Sequence, residues 1–466
     1  MSKPLSQRVI AAGLLAMAVA MGSQVFLHFS PGALSPDSLS ILAQARSGIF
    51  EDGHPPLMAA IWRLVDRLVP GSIGMLVLNL GLFYGGLFLI FRWAATRYQV
   101  GVWPAFLVVG VFPPIIGILG AIWIDVTMAG FFLAALGVFL AGSTRPEKGP
   151  RIGIFLVALL LAALATAVRH NGAAGAFPLI ALFLFQSVRT GARTLPRLAV
   201  ATIGGLVVTL LLFLGTKQVS TWSVDVQRHF WRVAAIYDIA GTSYQENAYL
   251  FYPDVIQDGS LDNVRKLYSP RSLTPLLLGQ QVHALPWQRM EKGKPIELKL
   301  SNPSLNQRLL SNWMDVIVNH SAAYLTHRYD VFASLVTRSP WGLWGPVFDA
   351  VYPNDMGIAE RPVKDSAYFA YIKLLALQSL IFVPLLYLIL SAFAVLPALV
   401  FGLRFQNHTL LVASALYGSG LAHLGGLFFL AASADFRYSH WMITTTVLAT
   451  SLVALELVHA RRRARS

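Results

Sequence analysis

The chain has 466 residues, 56% of them hydrophobic and only 12% charged, with a formal net charge of +14 and no cysteine. Its mean hydropathy of +0.60 lies well outside the range of soluble globular domains. Disulfides, thiolate metal sites and cysteine nucleophiles are excluded, and the basic excess is spread over short loops, leaving no separate cationic face for nucleic acid.

In chain order, apolar stretches long enough to cross a bilayer as helices fall near 9–28, 72–91, 102–119, 122–142, 152–168, 172–188, 198–216, 373–401, 409–431 and 441–460. They predict an all-α integral membrane protein of about ten transmembrane helices. The first reads as a permanent anchor, because no small-residue cleavage site precedes the polar segment after it. Lys3, Arg8, Arg92, Arg97, Arg145, Lys148, Arg151, Arg189, Arg193, Arg197, Arg404 and the tail "RRRARS" all fall on one side if the spans alternate. Lys and Arg accumulate on the cytoplasmic side, so both termini are expected there.

Three regions follow: a membrane module over 1–216, a hydrophilic outward domain over 217–370 and a second membrane module over 371–466. The outward domain holds fourteen acidic and fifteen basic residues, so it is nearly neutral. Apolar residues recurring every three or four positions predict helices around 223–240 and 304–337, with "FYPD", "QDGS", "GKP" and "YPND" as turns.

The first outward loop reads "SPDSLSILAQARSGIFEDGHPPL". Ser35 at a cap, Pro36 in the first helical position and Asp37 in the first turn predict a helix to about Arg46, ending at Gly48. A second helix opens after Pro55-Pro56, and its Arg63, Asp66 and Arg67 share one polar stripe, as in a helix lying along the membrane interface. Asp37 sits where the helix dipole keeps a carboxylate ionised, which suits either a general base or a solvated dipole partner. Asp125, in "GAIWIDVTMAG", borders the hydrocarbon, where an acid is functional, paired or exposed at the interface. "VRHNG" places Arg169, His170 and Asn171 in a short outward loop, and "ADFRYSHW" repeats that chemistry with Arg437, Tyr438 and His440. Such groups bind a lipid-linked phosphate, or else cap helices and meet headgroups. The aromatics Trp341, Trp344, Phe348 and Tyr352 suit a membrane-interface belt or a saccharide platform. No HExxH pair, Walker loop, dinucleotide fingerprint or GxSxG elbow is present.

In "SPDSLSILAQA", "GIFEDGHPPL", Asp125 and "RHNG", taken in that order, the chain resembles the GT-C superfamily of multi-spanning glycosyltransferases. The likeness is strongest to the bacterial protein-mannosyltransferase-like and aminoarabinose-transferase-like branches. It covers Asp37 to about Asn171, and "NWMDVIVNHSAAYLTHRYDVF" resembles some bacterial members more loosely. Ser38 stands where the common signature has a second acid, which departs from the protein-mannosylating branch. The resemblance implies inverting transfer of a sugar from a polyprenyl-phosphate (undecaprenyl-phosphate) donor to a glycan, lipid or protein acceptor. The reaction would take place on the periplasmic face of a bacterial inner membrane.

By that resemblance Asp37 is the catalytic base, and Asp125 orients the acceptor or holds a cation. Arg169, His170 and Arg437 meet the donor phosphate, and His54, Asn171, Tyr438 and His440 position substrates. No cofactor is required, and a divalent cation at Asp37 and Asp125 is left open. Glu51 and Asp52 receive no role. The rival reading is a transporter or flippase of a lipid-linked sugar, which would place its polar groups near the bilayer midplane.

Overall fold

The computed structural model describes residues 6–464 apart from 144–147, 188–193, 228, 256–258, 279–287, 292–293, 298–302, 338–343 and 360–366. Trp341 and the basic residues Lys3, Arg145, Arg189 and Arg193 therefore lie outside the described residues. Two compact units emerge: the first comprises 1–227, 346–425 and 439–466, and the second comprises 228–345 and 426–438. The described residues 346–359 and 367–370 fall in the first unit.

The helices of the first half are α1 (Gln7–Phe29), α2 (Pro36–Ser47), α3 (Leu57–Leu68), α4 (Ile73–Tyr98), α5 (Val102–Gly110), α6 (Pro113–Leu119), α7 (Ile124–Ser143), α8 (Lys148–Val168), α9 (Gly172–Ser187) and α10 (Thr194–Ser223). There follow α11 (Trp231–Glu246), α12 (Leu261–Leu267), α13 (Thr274–Leu278), a short antiparallel hairpin of β1 (Gln288–Glu291) and β2 (Lys294–Glu297), α14 (Pro303–Asn319) and α15 (Ser321–Val336). The chain ends with α16 (Ala367–Gln378), α17 (Pro384–Arg404), α18 (His408–Leu430) and α19 (His440–Arg463).

Among the described residues, seven helical stretches are long and apolar enough to cross a membrane, and 152–168 and 172–187 are shorter apolar helices. They fit a multi-pass membrane protein with lipid around its apolar surface. Two expected spans are corrected. The span at 102–119 is two short helices, because Phe112 precedes Pro113 and takes extended backbone that no helix continues. The span at 373–401 starts only at Pro384, since Val383 is extended for the same reason and α16 has already ended at Gln378. Between α4 and α5 the chain reverses at Gln99, whose φ is 51°. α5 then returns along α4, with Phe91 against Phe106 (5.2 Å between rings) and the Tyr84 hydroxyl donating to the Gly110 carbonyl (2.8 Å).

Among the described residues, α4 and α7 pack closely. A Cβ on Gly86 would lie 2.5 Å from the Leu133 carbonyl carbon, and one on Gly137 would lie 2.8 Å from the Gly86 carbonyl oxygen. With no hydrophobic drive between helices in lipid, such close backbone approach supplies the dispersion energy that holds them. Thr127 adds an interhelical hydrogen bond to Asn79 (2.9 Å). Gly86→Ala should lower stability by about 1 to 3 kcal/mol through overpacking. Gly85→Ala, which meets nothing within 4 Å, should be neutral or slightly stabilising. Thermal unfolding of the two variants in one detergent checks this, and equal melting points would contradict it.

Candidate functional site

The first outward loop is built as its sequence predicts. The Ser35 hydroxyl accepts from the Ser38 amide while Ser38 Oγ accepts from the Ser35 amide, closing a reciprocal cap around Pro36 and Asp37. Gly48 ends α2 with φ 75°, a left-handed conformation that favours glycine, and the Arg63 guanidinium lies over the space a Cβ would take.

The strand-like entry to α2 is held between two other segments. Ala33 donates to Gly120 O (3.1 Å) and its carbonyl accepts from Ile122 N (3.0 Å). On the other side Leu34 donates to Ala350 O (2.9 Å) and accepts from Tyr352 N (3.0 Å). Side chains then tie α2 to the start of α7, since Trp123 Nε1 donates to Ser35 Oγ (2.9 Å) and Ser38 Oγ donates to Ile122 O (2.9 Å). Asp37, half-buried, is carried on this frame, and Asp125 follows Trp123 by two residues.

Asp125 is only 1% exposed, and its carboxylate accepts from Arg169 Nη1 at 2.6 Å. Arg169 Nε donates to Asn171 Oδ1 (2.8 Å) within the turn that joins α8 to α9. The acid and the cation read separately from sequence are therefore partners, and the pair largely neutralises itself. His170, half-buried in the same turn, is held below the ordinary imidazole value by burial and then by the charge of Lys217.

His423 of α18 was not singled out from sequence, although an ionisable residue inside a span is itself a signal. It is buried, beside Gly175 of α9. His440 is fully buried, with its ring 6.4 Å from Phe83.

Around His54, which is half-buried, the loop is pinned by Asp225, which the sequence did not highlight, and by the Arg46–Asp66 pair. Phe50 N donates to Asp225 Oδ2 (2.8 Å), and Glu51 pairs its backbone with Val226. Arg46 grips Asp66 through Nε and Nη2 (3.1 and 3.3 Å) and donates to Met356 O (2.7 Å). For Asp66, burial works against the charged form, yet the Arg46 hydrogen bond, the Gly71 N–H and the Arg46 charge together hold its carboxyl below the usual range. On α3, Met58, Ala59 and Trp62 are buried while Leu64 and Leu68 are exposed.

In the second unit, Arg437 is buried, lies 3.5 Å from Asp435 and stacks over the Tyr438 ring at 5.4 Å. Asp435 also accepts from Trp344 N (3.2 Å). The heart of this unit is a fully buried cluster at Asp238. Its carboxylate receives Arg328 Nη2 (2.6 Å), Trp313 Nε1 (2.8 Å) and His327 Nε2 (3.1 Å), and His327 Nδ1 meets the Tyr268 hydroxyl (2.8 Å). Trp313, His327 and Arg328 all come from the loosely matching "NWMDVIVNHSAAYLTHRYDVF" stretch.

Burial holds His327 below its ordinary value of 6.5, against the pull of Asp238. The unfolded chain therefore takes up this proton first as the pH falls. The stabilising contribution is complete above pH 6.5 and is lost as the pH drops below it toward the folded value, by up to about 1.4 kcal/mol per pH unit. Hydrogen exchange of 231–246 and 321–336 should be faster at pH 5.5 than its intrinsic rate predicts from pH 7.5. A His327→Gln variant should flatten that dependence, and an unchanged dependence in it would contradict the assignment.

Among the described residues no three His, Asp or Glu side chains gather into a metal-binding group. Comparison with protein-family models, curated proteins and solved structures finds no match to this chain. The fold and site define a helical, multi-pass type of membrane protein. In its first unit the start of α2, which carries the half-buried Asp37, is hydrogen-bonded through Ser35 and Ser38 to the segment leading into α7, whose Asp125 pairs with Arg169.

Proposed function

We propose that the chain is a GT-C-type inverting glycosyltransferase with about ten spans, resident in a bacterial inner membrane with both termini cytoplasmic. Its donor is a polyprenyl-phosphate sugar, and its acceptor is an envelope glycan or lipid on the periplasmic side. Asp37 takes the proton of the acceptor hydroxyl as that oxygen attacks the anomeric carbon. The bond from that carbon to the lipid phosphate oxygen breaks with inversion, and the phosphate leaves with the electron pair. Arg169 and His170 face the charge growing on the departing phosphate, with Asp125 holding Arg169 in place. The observation that supports this reading best is the frame Ser35–Trp123–Ser38–Ile122, which fixes the helix start of Asp37 to that of Asp125.

The deciding experiment gives purified protein radiolabelled polyprenyl-phosphate sugars and envelope acceptors, with and without a chelator, and compares the parent with Asp37→Asn. Movement of sugar-lipid across liposomes with no glycosidic product would replace this reading by transport.

A further inference from the structure

The sequence leaves the aromatics before α16 open between a membrane belt and a saccharide platform. A belt needs rings that face lipid, yet Trp344 is buried in the second unit and Phe348 is only 7% exposed in the first. Phe348 stacks on the buried Trp123 (4.9 Å between rings, 24° between planes), and Tyr352 follows Phe348 at 6.4 Å and 30°. The three rings form a ladder that starts in the core and ends at Tyr352, which is 37% exposed. Both ends of the ladder are fixed to the loop of the proposed base, Trp123 through Ser35 Oγ and Tyr352 through its main-chain bond to Leu34.

We infer that Tyr352 is the stacking platform for the pyranose ring of the sugar-lipid, beside the Asp37 loop; this rests on the transferase reading. A sugar presents an apolar C–H face that meets an aromatic ring well, and a platform is most useful when its ring is rigid and its exposed face adjoins a carboxylate. Tyr352 is tied through its main chain to Leu34, three residues before Asp37, and its ring closes the ladder on Phe348. Asp349, on the same strap, is engaged by Lys373 (3.2 Å), which keeps a second carboxylate fixed nearby in the chain. Stacking on a pyranose face tolerates different hydroxyl configurations, so the platform does not require one particular sugar.

The test uses the full chain in nanodiscs and two probes, polyprenyl phosphate bare and the same lipid carrying glucose or mannose. Parent protein should bind the sugar-bearing lipid about 5-fold more tightly than the bare one, the size expected of one stacked ring. Tyr352→Ala should erase that difference and leave the bare lipid unchanged, whereas Tyr352→Phe and Tyr352→Trp should retain it. A difference that survives in Tyr352→Ala overturns the platform and leaves the transferase reading intact. Equal weakening of both lipids identifies a membrane-interface anchor and also overturns it, as does a parent that binds both lipids equally. A parent that binds neither lipid overturns the transferase reading and the platform together.

Discussion

On the proposed mechanism Asp37→Asn should remove sugar transfer, by about 10² to 10⁴-fold, and leave the fold in place. The two parts of this expectation have separate causes. The start of α2 is capped by Ser35 and Ser38 and set by Pro36, so the amide inherits an intact helix. What the substitution loses structurally is one anion near a helix N-terminus, typically 0.3 to 1 kcal/mol. What it loses chemically is the only group on that turn able to take a proton. Turnover of the pure Asn variant at the parental rate, with an unchanged melting profile, would remove Asp37 from the mechanism.

The second large effect is at Asp125 and Arg169. Taking away the acid leaves a guanidinium whose side chain is 12% exposed without its partner, a loss of about 3 to 5 kcal/mol. Replacing both, as Asp125→Leu with Arg169→Met, should recover much of that stability, because the desolvation of two charges disappears with them. The double variant should nevertheless be inactive in transfer, since the phosphate loses its cation. A cycle in which the two single losses simply add would show that the pair is not coupled.

The parts of this structure that were legible in sequence are those fixed by local chemistry. Ser35, Pro36 and Gly48 specify both ends of α2 whatever surrounds them, and the apolar runs of α1, α7 and α19 need only their own length. The spans at 102–119 and 373–401 misled because hydropathy counts apolar residues and is blind to the backbone at Phe112-Pro113 and Val383-Pro384. Pairing was harder still. Asp125 and Arg169 were each visible, but the two lie on different helices and nothing local reports their contact. Asp225 and Asp238 were invisible, because an acid in "WSVDV" or "IYDIAG" reads as an ordinary polar position until the fold presents it to Phe50 or to Arg328. Tyr352 was seen as one aromatic of four, and its exposure and its backbone bond to Leu34 separate it from Trp344 and Phe348.

The Asp125–Arg169 pair also bears on biogenesis. During synthesis α7 enters the membrane carrying an acid whose counter-charge lies 44 residues later in the chain. At ordinary translation speeds that delay is roughly 2 to 9 s. Over that interval the nascent segment carries its carboxylate without the guanidinium, which arrives only after α8 has been made.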